Sequence, residues 1–469
     1  MIESFEYKGF WWLPENQERK IAGTLKYSPE DGPILELIGS FWDLPGLQKV
    51  KGPDIILGKS DNGILITLFG YGGRKDEISW PGFSRTTVRM QVIFMGYHFL
   101  KREDLVFDSL SVNYSYLNDW CGEYPFSVDW DLPKSYKVHY QRPEPLIIEL
   151  KEFKISLEPE LSVNHQRAGD INLKYFVYLK IEGNKKYHFE DLMNFMEKLR
   201  NFISLGVKRP IYSNRVKVKT DKYVIKGHDG KELNPLIDVF VKKRRKEYKE
   251  KTLIPSDFLF SFHDIKAQFK NCLEKWIEID DLLKPVKDLY FGAFCNPRMF
   301  LENKFLNLVQ ALETYHSRRY KESYSINPKE FGEIVGKILE VIPSKHKNTF
   351  KGKLEYANKY SLRKRIKGII RNNSDIVEFY LSNNSQKNSF INKVVNTRNY
   401  LTHYDEKLKN NAAKGEDLYW LNLKLKILVE IVFMKEIGID SEYILNALKR
   451  NTEYQEIWTK RLKAKQKGH

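Results

Sequence analysis

The sequence predicts an α+β protein of several domains, in which a β-rich N-terminal region precedes an all-α helical bundle. Up to about residue 230, apolar residues alternate in short runs, whereas from about residue 258 they recur with a helical period. The composition is that of a globular chain, since 42% of the 469 residues are hydrophobic and 30% are charged. With 27 Gly and 18 Pro, the chain has too few breakers to be fibrous or mainly disordered.

Short runs rich in β-branched and aromatic residues indicate the strands of the N-terminal region. Turn formers such as Asp61-Asn62-Gly63 separate these runs. One helix is predicted within the region, at 189–203, because its apolar residues follow helical spacing; we expect it to pack on a sheet. The clearest predicted strands are 34–38, 64–69, 88–94 and 173–181.

Apolar residues at positions i, i+3, i+4 and i+7 predict the helices of the C-terminal bundle. Pro328 stands where a first-turn proline belongs and Gly438 where a helix ends. The predicted helices are 258–282, 300–316, 328–342, 389–403, 419–437 and 442–448.

A run of Lys and Arg at 242–251 separates the two patterns. We interpret it as a solvated boundary, with a phosphate-binding patch as the alternative. The predicted domains are therefore a β-rich sensor region at 1–240 with a possible break near residue 143, a basic linker and connecting helix at 241–298, and a helical bundle at 299–469.

The chain is strongly basic: 78 Lys and Arg against 61 Asp and Glu give a formal net charge of +17. Such a surplus favours a polyanionic partner, either nucleic acid or an anionic membrane surface. The most apolar stretch, 421–434, is interrupted by polar residues and is too short to span a bilayer. The N-terminus lacks the pattern of a signal peptide, so we expect a cytoplasmic protein with no membrane association.

Three cysteines, Cys121, Cys272 and Cys295, encode neither a disulfide framework nor a standard zinc site. We expect inert buried thiols. A zinc site that adds His263 or His316 to Cys272 and Cys295 remains open as the alternative.

Several common catalytic motifs are excluded by inspection. The segment 332–338 resembles a phosphate-binding loop superficially, but its spacing is short and no Ser or Thr follows the Lys. No zinc-protease, hydrolase-elbow or kinase signature occurs in the sequence. The tryptophans Trp11, Trp12 and Trp120 are expected to anchor a core or a domain interface.

One predicted helix, 389–403, carries an apolar stripe that turns polar at its C-terminal end. Ile391, Val394 and Val395 mark the buried face and Arg398 continues it. Val395, Asn399 and His403 stack at i, i+4 and i+8, so the His403 imidazole is expected on the same inward side as Arg398. A buried Arg is costly unless it is paired, so this placement indicates a pocket or an interface. A histidine near a helix C-terminus is also favoured by the helix dipole when protonated.

Arg398, four intervening residues and His403, with Asn399 directly after the Arg, resemble the motif of the HEPN ribonuclease superfamily. The helix at 300–316 is similar to the opening helix of the ApeA-like HEPN domain, a family associated with bacterial anti-phage defence. The segments 10–15, 23–25 and 35–41 resemble the β-rich domain that precedes HEPN in that family.

The resemblance implies a four- to five-helix HEPN bundle that forms a homodimer or a higher homo-oligomer, in which two motifs face each other across a cleft. It also implies a metal-independent endoribonuclease that needs no cofactor. His403 would be the general base and Arg398 would neutralise charge on the phosphoryl oxygens. Asn399 would bind phosphate or hold His403, and Thr402 is a supporting residue. Glu313 would pair with Arg398 or orient His403, unless it is an ordinary surface carboxylate. The implied biology is abortive infection, with tRNA as the RNA substrate and a phage-derived trigger on the N-terminal region.

A basic stretch at 345–371 has ten Lys or Arg and one acid, Glu355, so its net charge is 10 − 1 = +9. Tyr356 and Tyr360 lie among these cations, as in proteins that bind single-stranded RNA. A solvated helix face is the alternative, and a second basic run, 460–467, ends the chain. The residues predicted to bind RNA are Lys359, Arg363, Lys364, Arg365, Lys367 and Arg371.

The competing hypothesis is a non-catalytic HEPN-like protein that binds nucleic acid or acts as a scaffold. In that case the Arg and His would merely close one end of the bundle. A transcriptional regulator is disfavoured, because the sequence has no convincing helix-turn-helix with a recognition helix.

Overall fold

A β-rich region within residues 5–241 precedes a helical region within residues 262–455, which confirms the predicted α+β class. The computed structural model describes residues 4–42, 52–77, 79–131, 135–167, 169–227, 230–242, 252–296, 298–320, 324–455 and 457. Contacts divide the chain into unit 1 (Met1–Ile203, Ile211–Leu253 and Ser261–His263) and unit 2 (Ser204–Pro210, Ile254–Phe260 and Asp264–His469). The domain boundaries expected near residues 143, 240 and 298 stay predictions.

The strands of unit 1 include all four of the clearest predicted runs. They are β1 (Phe5–Leu13), β2 (Asn16–Ser28), β3 (Gly32–Ile38), β4 (Ile55–Ser60), β5 (Leu65–Glu77), β6 (Arg85–Met95), β7 (Val106–Tyr114), β8 (Phe126–Asp131), β9 (Ser135–Tyr140), β10 (Leu146–Glu149), β11 (Phe153–Arg167), β12 (Asp170–His188), β13 (Ser213–Lys219), β14 (Ile225–Lys226), β15 (Glu232–Leu233) and β16 (Ile237–Val241).

Twelve of these strands form one antiparallel sheet in the order β10-β11-β12-β7-β13-β16-β6-β3-β2-β1-β4-β5. β6 pairs with β5 along one edge and with β3 and β16 along the other. The strands β6, β3, β2, β1, β4 and β5 therefore close into a ring, and the remaining six extend from β6 as an open sheet. Two further two-stranded sheets, β8-β9 and β14-β15, stand apart from it.

The interior of the closed ring is filled by large apolar side chains. Trp11, Leu25, Leu35, Ile56 and Ile66 all belong to one buried cluster. Period-two alternation explains this, because every second side chain of a strand points to the same face. Trp12 and Trp120 are also buried, so the expectation that the tryptophans anchor cores is confirmed.

The helices of the described residues are α1 (Leu117–Cys121), α2 (Phe189–Val207), α3 (Phe262–Ile265), α4 (Phe269–Glu278), α5 (Asp280–Phe294), α6 (Leu301–Arg319), α7 (Pro328–Val341), α8 (Ser344–Leu354), α9 (Leu362–Asn372), α10 (Ser374–Val377), α11 (Asn384–His403), α12 (Gly415–Glu436) and α13 (Ser441–Arg450). The predicted packing of α2 on a sheet is confirmed, since the Phe195 ring stacks on Phe153 of β11 at 4.3 Å. The expected ends at Pro328 and Gly438 are also confirmed, because Pro328 begins α7 and Gly438 follows α12 with φ +86°.

The single helix predicted at 258–282 is wrong. The structure has a non-helical segment, then α3, a short 3₁₀ turn at Lys266–Gln268 and α4. Phe258, Leu259 and Phe260 are all buried, and three consecutive residues cannot share one helical stripe. The Leu259 amide instead donates to the Gly206 carbonyl at 2.8 Å.

The bundle of unit 2 is centred on α12, which buries most of its circumference. Its internal Glu430 is fully buried and accepts a hydrogen bond from Tyr290 Oη at 2.7 Å and another from the Tyr454 hydroxyl. α6 packs against α5, α9, α11 and α12. Because α6 touches both α9 and α11, it fixes the relative positions of the two helices that carry the predicted site residues.

Two predicted basic segments are not covered by this description: residues 243–251 of the boundary run and residues 460–467 at the C-terminus lie outside the described residues. Among the helices of the described residues, none combines the length and the apolar character that crossing a membrane requires.

Gly58 of β4 lies directly opposite Trp11 of β1, and a methyl group at Gly58 would overlap the indole ring. Gly58→Ala should therefore reduce the free energy of unfolding by about 1–3 kcal/mol through overpacking. Urea denaturation of the full-length chain measures this. Trp11→Phe removes the ring atoms that clash, so the double variant should lose less than the sum of the two single variants. Strict additivity of the two changes would contradict the proposed contact.

Candidate functional site

The predicted Arg and His lie at the C-terminal end of α11. This helix begins where the Asn383 side chain accepts a hydrogen bond from the Gln386 amide at 2.8 Å. Ile391 and Val394 are buried, as the stripe predicted, whereas Val395 is only partly buried; Phe390 is buried as well. The helix ends at His403, because the next residue, Tyr404, has a left-handed backbone with φ 52°.

Arg398 lies at the surface of unit 2 among neighbouring polar groups. Its Nη2 lies 3.8 Å from Glu313 Oε2 of α6, and both side chains are about one third exposed (35% and 33%). Its Nη1 donates to Asn399 Oδ1 at 3.2 Å, and its carbonyl oxygen accepts a hydrogen bond from Thr402 Oγ1 at 2.8 Å. The structure thus brings Arg398, Glu313, Asn399 and Thr402 together. At 3.8 Å the contact between Arg398 and Glu313 is a loose ion pair rather than a hydrogen bond.

His403 does not share the inward side of α11, so that part of the sequence prediction is wrong. The His403 side chain is exposed, and among the described residues its imidazole makes no hydrogen bond or ion pair. The reason is helical geometry: five residues at 3.6 per turn place His403 about 140° around the helix from Arg398. Asn399 lies between them, since it follows Arg398 and is four residues before His403.

Thr397 is a site-adjacent residue that the sequence analysis missed. Its side chain is fully buried, and its hydroxyl accepts a hydrogen bond from the Ala413 amide at 2.8 Å. This bond ties the segment after His403 back onto α11. The available signal was a hydroxyl residue on the apolar stripe, three residues after Val394.

α9 presents a basic face that lies beside α11. Leu362, Ile366, Ile369 and Ile370 are buried in the bundle. The Arg363 guanidinium donates to Asn392 Oδ1 of α11. The exposed cations of this face are Arg363, Lys364, Lys367 and Arg371, and Lys359 is exposed just before the helix.

Two of these cations lie over aromatic rings. Lys364 Nζ is 3.8 Å from the centroid of Tyr360, and Lys359 Nζ is 4.7 Å from that of Tyr356. Such pairs combine a charge with a flat surface, the two features that a single-stranded nucleic acid engages.

Arg365 differs from the other predicted RNA-binding residues because it is 6% exposed. Its Nε donates to the Tyr360 carbonyl at 2.9 Å, while its Nη1 is buried without a hydrogen-bond partner among the described residues. Its position on the buried side of α9 explains this, so Arg365 is not part of the exposed basic face that could contact RNA. Burial and the nearby Arg365 charge lower the pKa of His316.

Two of the three cysteines match the expectation of buried thiols, whereas Cys295 is only partly buried. Cys121 and Cys272 are buried, and burial raises the pKa of Cys272 to about 11. No group of three or more His, Cys, Asp or Glu side chains suited to a metal ion occurs within the described part of the chain. A zinc site built from Cys272 and Cys295 with His263 or His316 therefore has no support among these residues.

The Thr397 hydroxyl gives a stability prediction. Thr397→Val should lower the free energy of unfolding by about 1–3 kcal/mol, because the buried Ala413 amide loses its acceptor. Amide hydrogen exchange at Ala413 should become faster. Thr397→Ser keeps the oxygen and is the matched control; a Thr397→Val variant as stable as Thr397→Ser would contradict the assignment.

Comparison with known protein families identifies the family of this chain. The family model of ApeA N-terminal domain 1 matches residues 6–276, and that of Apea-like HEPN matches residues 306–443. Neither the curated proteins nor the solved structures contain a significant match to the chain. A HEPN domain of this type indicates a nuclease-type defence protein. With the first model covering more than half of its length, the chain belongs to the ApeA family of HEPN-domain proteins.

Proposed function

We propose that this protein is a metal-independent endoribonuclease that acts in abortive anti-phage defence. The observation that carries the proposal is the placement of Arg398 and His403 at the exposed end of α11, with Arg398 oriented by Glu313 and Asn399. Arg and His together can supply a base and a charge-stabilising group, so the reaction requires neither a metal ion nor a cofactor.

In the proposed reaction His403 accepts the proton of a ribose 2′-hydroxyl. The 2′-oxygen then attacks the adjacent phosphorus, and the bond from phosphorus to the 5′-oxygen breaks. The leaving 5′-oxygen takes a proton, so the products carry a 2′,3′-cyclic phosphate and a 5′-hydroxyl. The exposure of His403 supports this role, since a backbone can approach the imidazole without displacing protein groups.

Arg398 would stabilise the charge that develops on the phosphoryl oxygens. Its planar guanidinium can donate two parallel hydrogen bonds to a phosphate. Glu313 would act as a positioning residue, since a carboxylate 3.8 Å away restricts the Arg398 side chain without occupying both of its donor edges. Asn399 would bind phosphate or hold His403, and Thr402 would stabilise the last turn through its bond to the Arg398 carbonyl.

A second copy of the chain would complete the site. Because Arg398 and His403 are about 140° apart on one helix, a phosphate held by Arg398 is not directed at His403 of the same copy. In a homodimer with facing α11 ends, the Arg of one protomer and the His of the other can approach the same phosphate. The exposure of both side chains supports such a dimer.

The proposed substrate is RNA, with tRNA the preferred class. The exposed cations of α9 support binding of single-stranded RNA, as do the rings of Tyr356 and Tyr360, which lie under Lys359 and Lys364. tRNA loops expose splayed bases of that kind. We further propose that the β-rich region restrains cleavage until it binds a phage-derived trigger, since an unrestrained ribonuclease would harm its own host.

A non-catalytic RNA-binding or scaffold protein is the second candidate. It is favoured by one observation: among the described residues His403 has no hydrogen-bond partner to orient its imidazole. In this alternative the protein acts without cleaving RNA, and it binds RNA through the basic face of α9.

The catalytic pair gives the central prediction. Purified protein incubated with total RNA in EDTA and with lysate of phage-infected cells should produce 2′,3′-cyclic phosphate ends. His403→Ala should slow cleavage by about 10²–10⁴-fold and Arg398→Ala by about 10²–10³-fold, in line with losing a general base and a charge-stabilising donor. His263→Ala, an exposed histidine of unit 1, is the matched control. Full cleavage by His403→Ala would overturn the mechanism.

The basic face gives a separate prediction for RNA affinity. Lys364→Glu with Lys367→Glu should weaken binding of a single-stranded RNA oligonucleotide and reduce the salt slope by about 1.4, or ~0.7 for each lost phosphate contact. The control, Lys270→Glu with Lys284→Glu, makes the same charge change on exposed side chains of α4 and α5. Equal effects of the two pairs would refute a local RNA site. Loss of phage defence with Lys364→Glu and Lys367→Glu, but not with His403→Ala, would favour the scaffold.

A further inference from the structure

The two-stranded sheet β8-β9 presents an apolar face that the described protein leaves uncovered. Side chains on alternate positions of a strand share one face, and directly paired residues lie side by side across the strands. The pairs on this face are Phe126 with Tyr140, Val128 with Val138, and Trp130 with Tyr136. We name these six residues the apolar ladder.

The apolar ladder is exposed over most of its length. Trp130 is 69% and Tyr136 63% exposed, and Val128 and Val138 are 48% and 53% exposed. At the base of the hairpin Phe126 and Tyr140 are half-buried, with their ring centroids 5.5 Å apart. The exposed apolar area is about 500 Å², which is the size of patch that usually marks a binding surface.

The opposite face of the hairpin is polar. It carries Ser127, Asp129, Lys137 and His139, and His139 Nε2 lies 3.0 Å from Asp129 Oδ2. This division into one apolar and one polar face is the pattern of a sheet that covers something on one side. A two-stranded hairpin alone is marginally stable in water. Exposing the apolar ladder to solvent therefore costs free energy that a bound partner would recover.

The chemistry of the ladder decides among the possible occupants. Its six side chains carry no charge, which disfavours RNA although the chain as a whole is strongly basic. A symmetric dimer through two ladders would bury about 1,000 Å², less than the roughly 1,200 Å² that stable interfaces reach. An extended apolar segment of another protein can bind to a patch of this size, because backbone hydrogen bonds add to the side-chain contacts.

The edges of the hairpin point to the same occupant. Within the described residues β8 and β9 pair only with each other, so each has one long edge free of strand partners. A free edge accepts an extended chain as an additional strand. In that position every second side chain of the added strand lies beside the apolar ladder.

We propose that β8-β9 is a docking site for an extended segment of a partner protein, which adds as a third strand and places alternate apolar side chains beside the ladder. The hairpin belongs to unit 1 whereas Arg398 and His403 belong to unit 2, and the proposal does not depend on RNA cleavage.

A selection experiment tests the proposal without knowing the partner. A displayed library of random 12-residue peptides is selected on the full-length protein and counted again on the variant Trp130→Ser/Tyr136→Ser. Peptides with apolar residues at i, i+2 and i+4 and no central proline should be enriched, and their affinity should fall at least tenfold with the variant. The matched control, Asp129→Asn/Lys137→Gln, changes the polar face of the same strands and should retain binding. Circular dichroism checks that each variant is folded.

Hydrogen exchange then distinguishes the binding modes. A selected peptide should slow exchange of backbone amides in β8 or β9, as a new strand pairing requires. Three results would overturn the proposal: no enriched peptide that depends on the ladder, binding without protection of either strand, or a dimer in sedimentation that Trp130→Ser/Tyr136→Ser dissociates. The last result would identify a second copy of the chain as the occupant.

Discussion

The site in unit 2 depends on one constraint: α11 must bury a single stripe, formed by Phe390, Ile391, Val394 and Thr397, against the bundle. Once that stripe is fixed, helical geometry determines the direction of every other side chain on the helix. Arg398 is directed at α6 and meets Glu313, while His403 is directed at solvent. The Thr397 hydroxyl belongs to the same stripe and holds the segment that follows His403. The functional chemistry is thus placed by apolar packing rather than by the charged groups themselves.

Apolar packing also decides which basic residues of the chain face solvent. α9 buries Leu362, Ile366, Ile369 and Ile370, and this turns Arg363, Lys364, Lys367 and Arg371 outward as one face. Arg365 carries the same charge but lies on the other side of the helix, where it bonds the Tyr360 carbonyl. A count of cations therefore overstates the surface available to RNA, since a guanidinium that is already desolvated and bonded offers little to a phosphate.

Unit 1 shows two outcomes for the same alternating pattern. In the closed ring, the alternate apolar residues of β1 to β6 pack inward around Trp11. In β8 and β9 an equally regular alternation produces the apolar ladder, which faces solvent. Periodicity defines which residues share a face, but it does not say what covers that face. The difference between a core and a binding surface is decided by whether another part of the chain reaches it.

The sequence by itself determined the α+β class, the main strands, the helices α6, α7, α11, α12 and α13, and the Arg and His motif on α11, because these depend on local periodicity and spacing. It missed α5, α8, α9 and α10 as separate helices and joined α3 and α4 into one, because charge runs and consecutive buried residues obscure the helical period. Tertiary structure alone decided that Glu313 meets Arg398, that Arg365 is buried, that Thr397 binds the Ala413 amide and that β6 closes the ring. Each of these depends on contacts between distant segments, and such contacts are set by how whole faces pack and not by the residues near any one position.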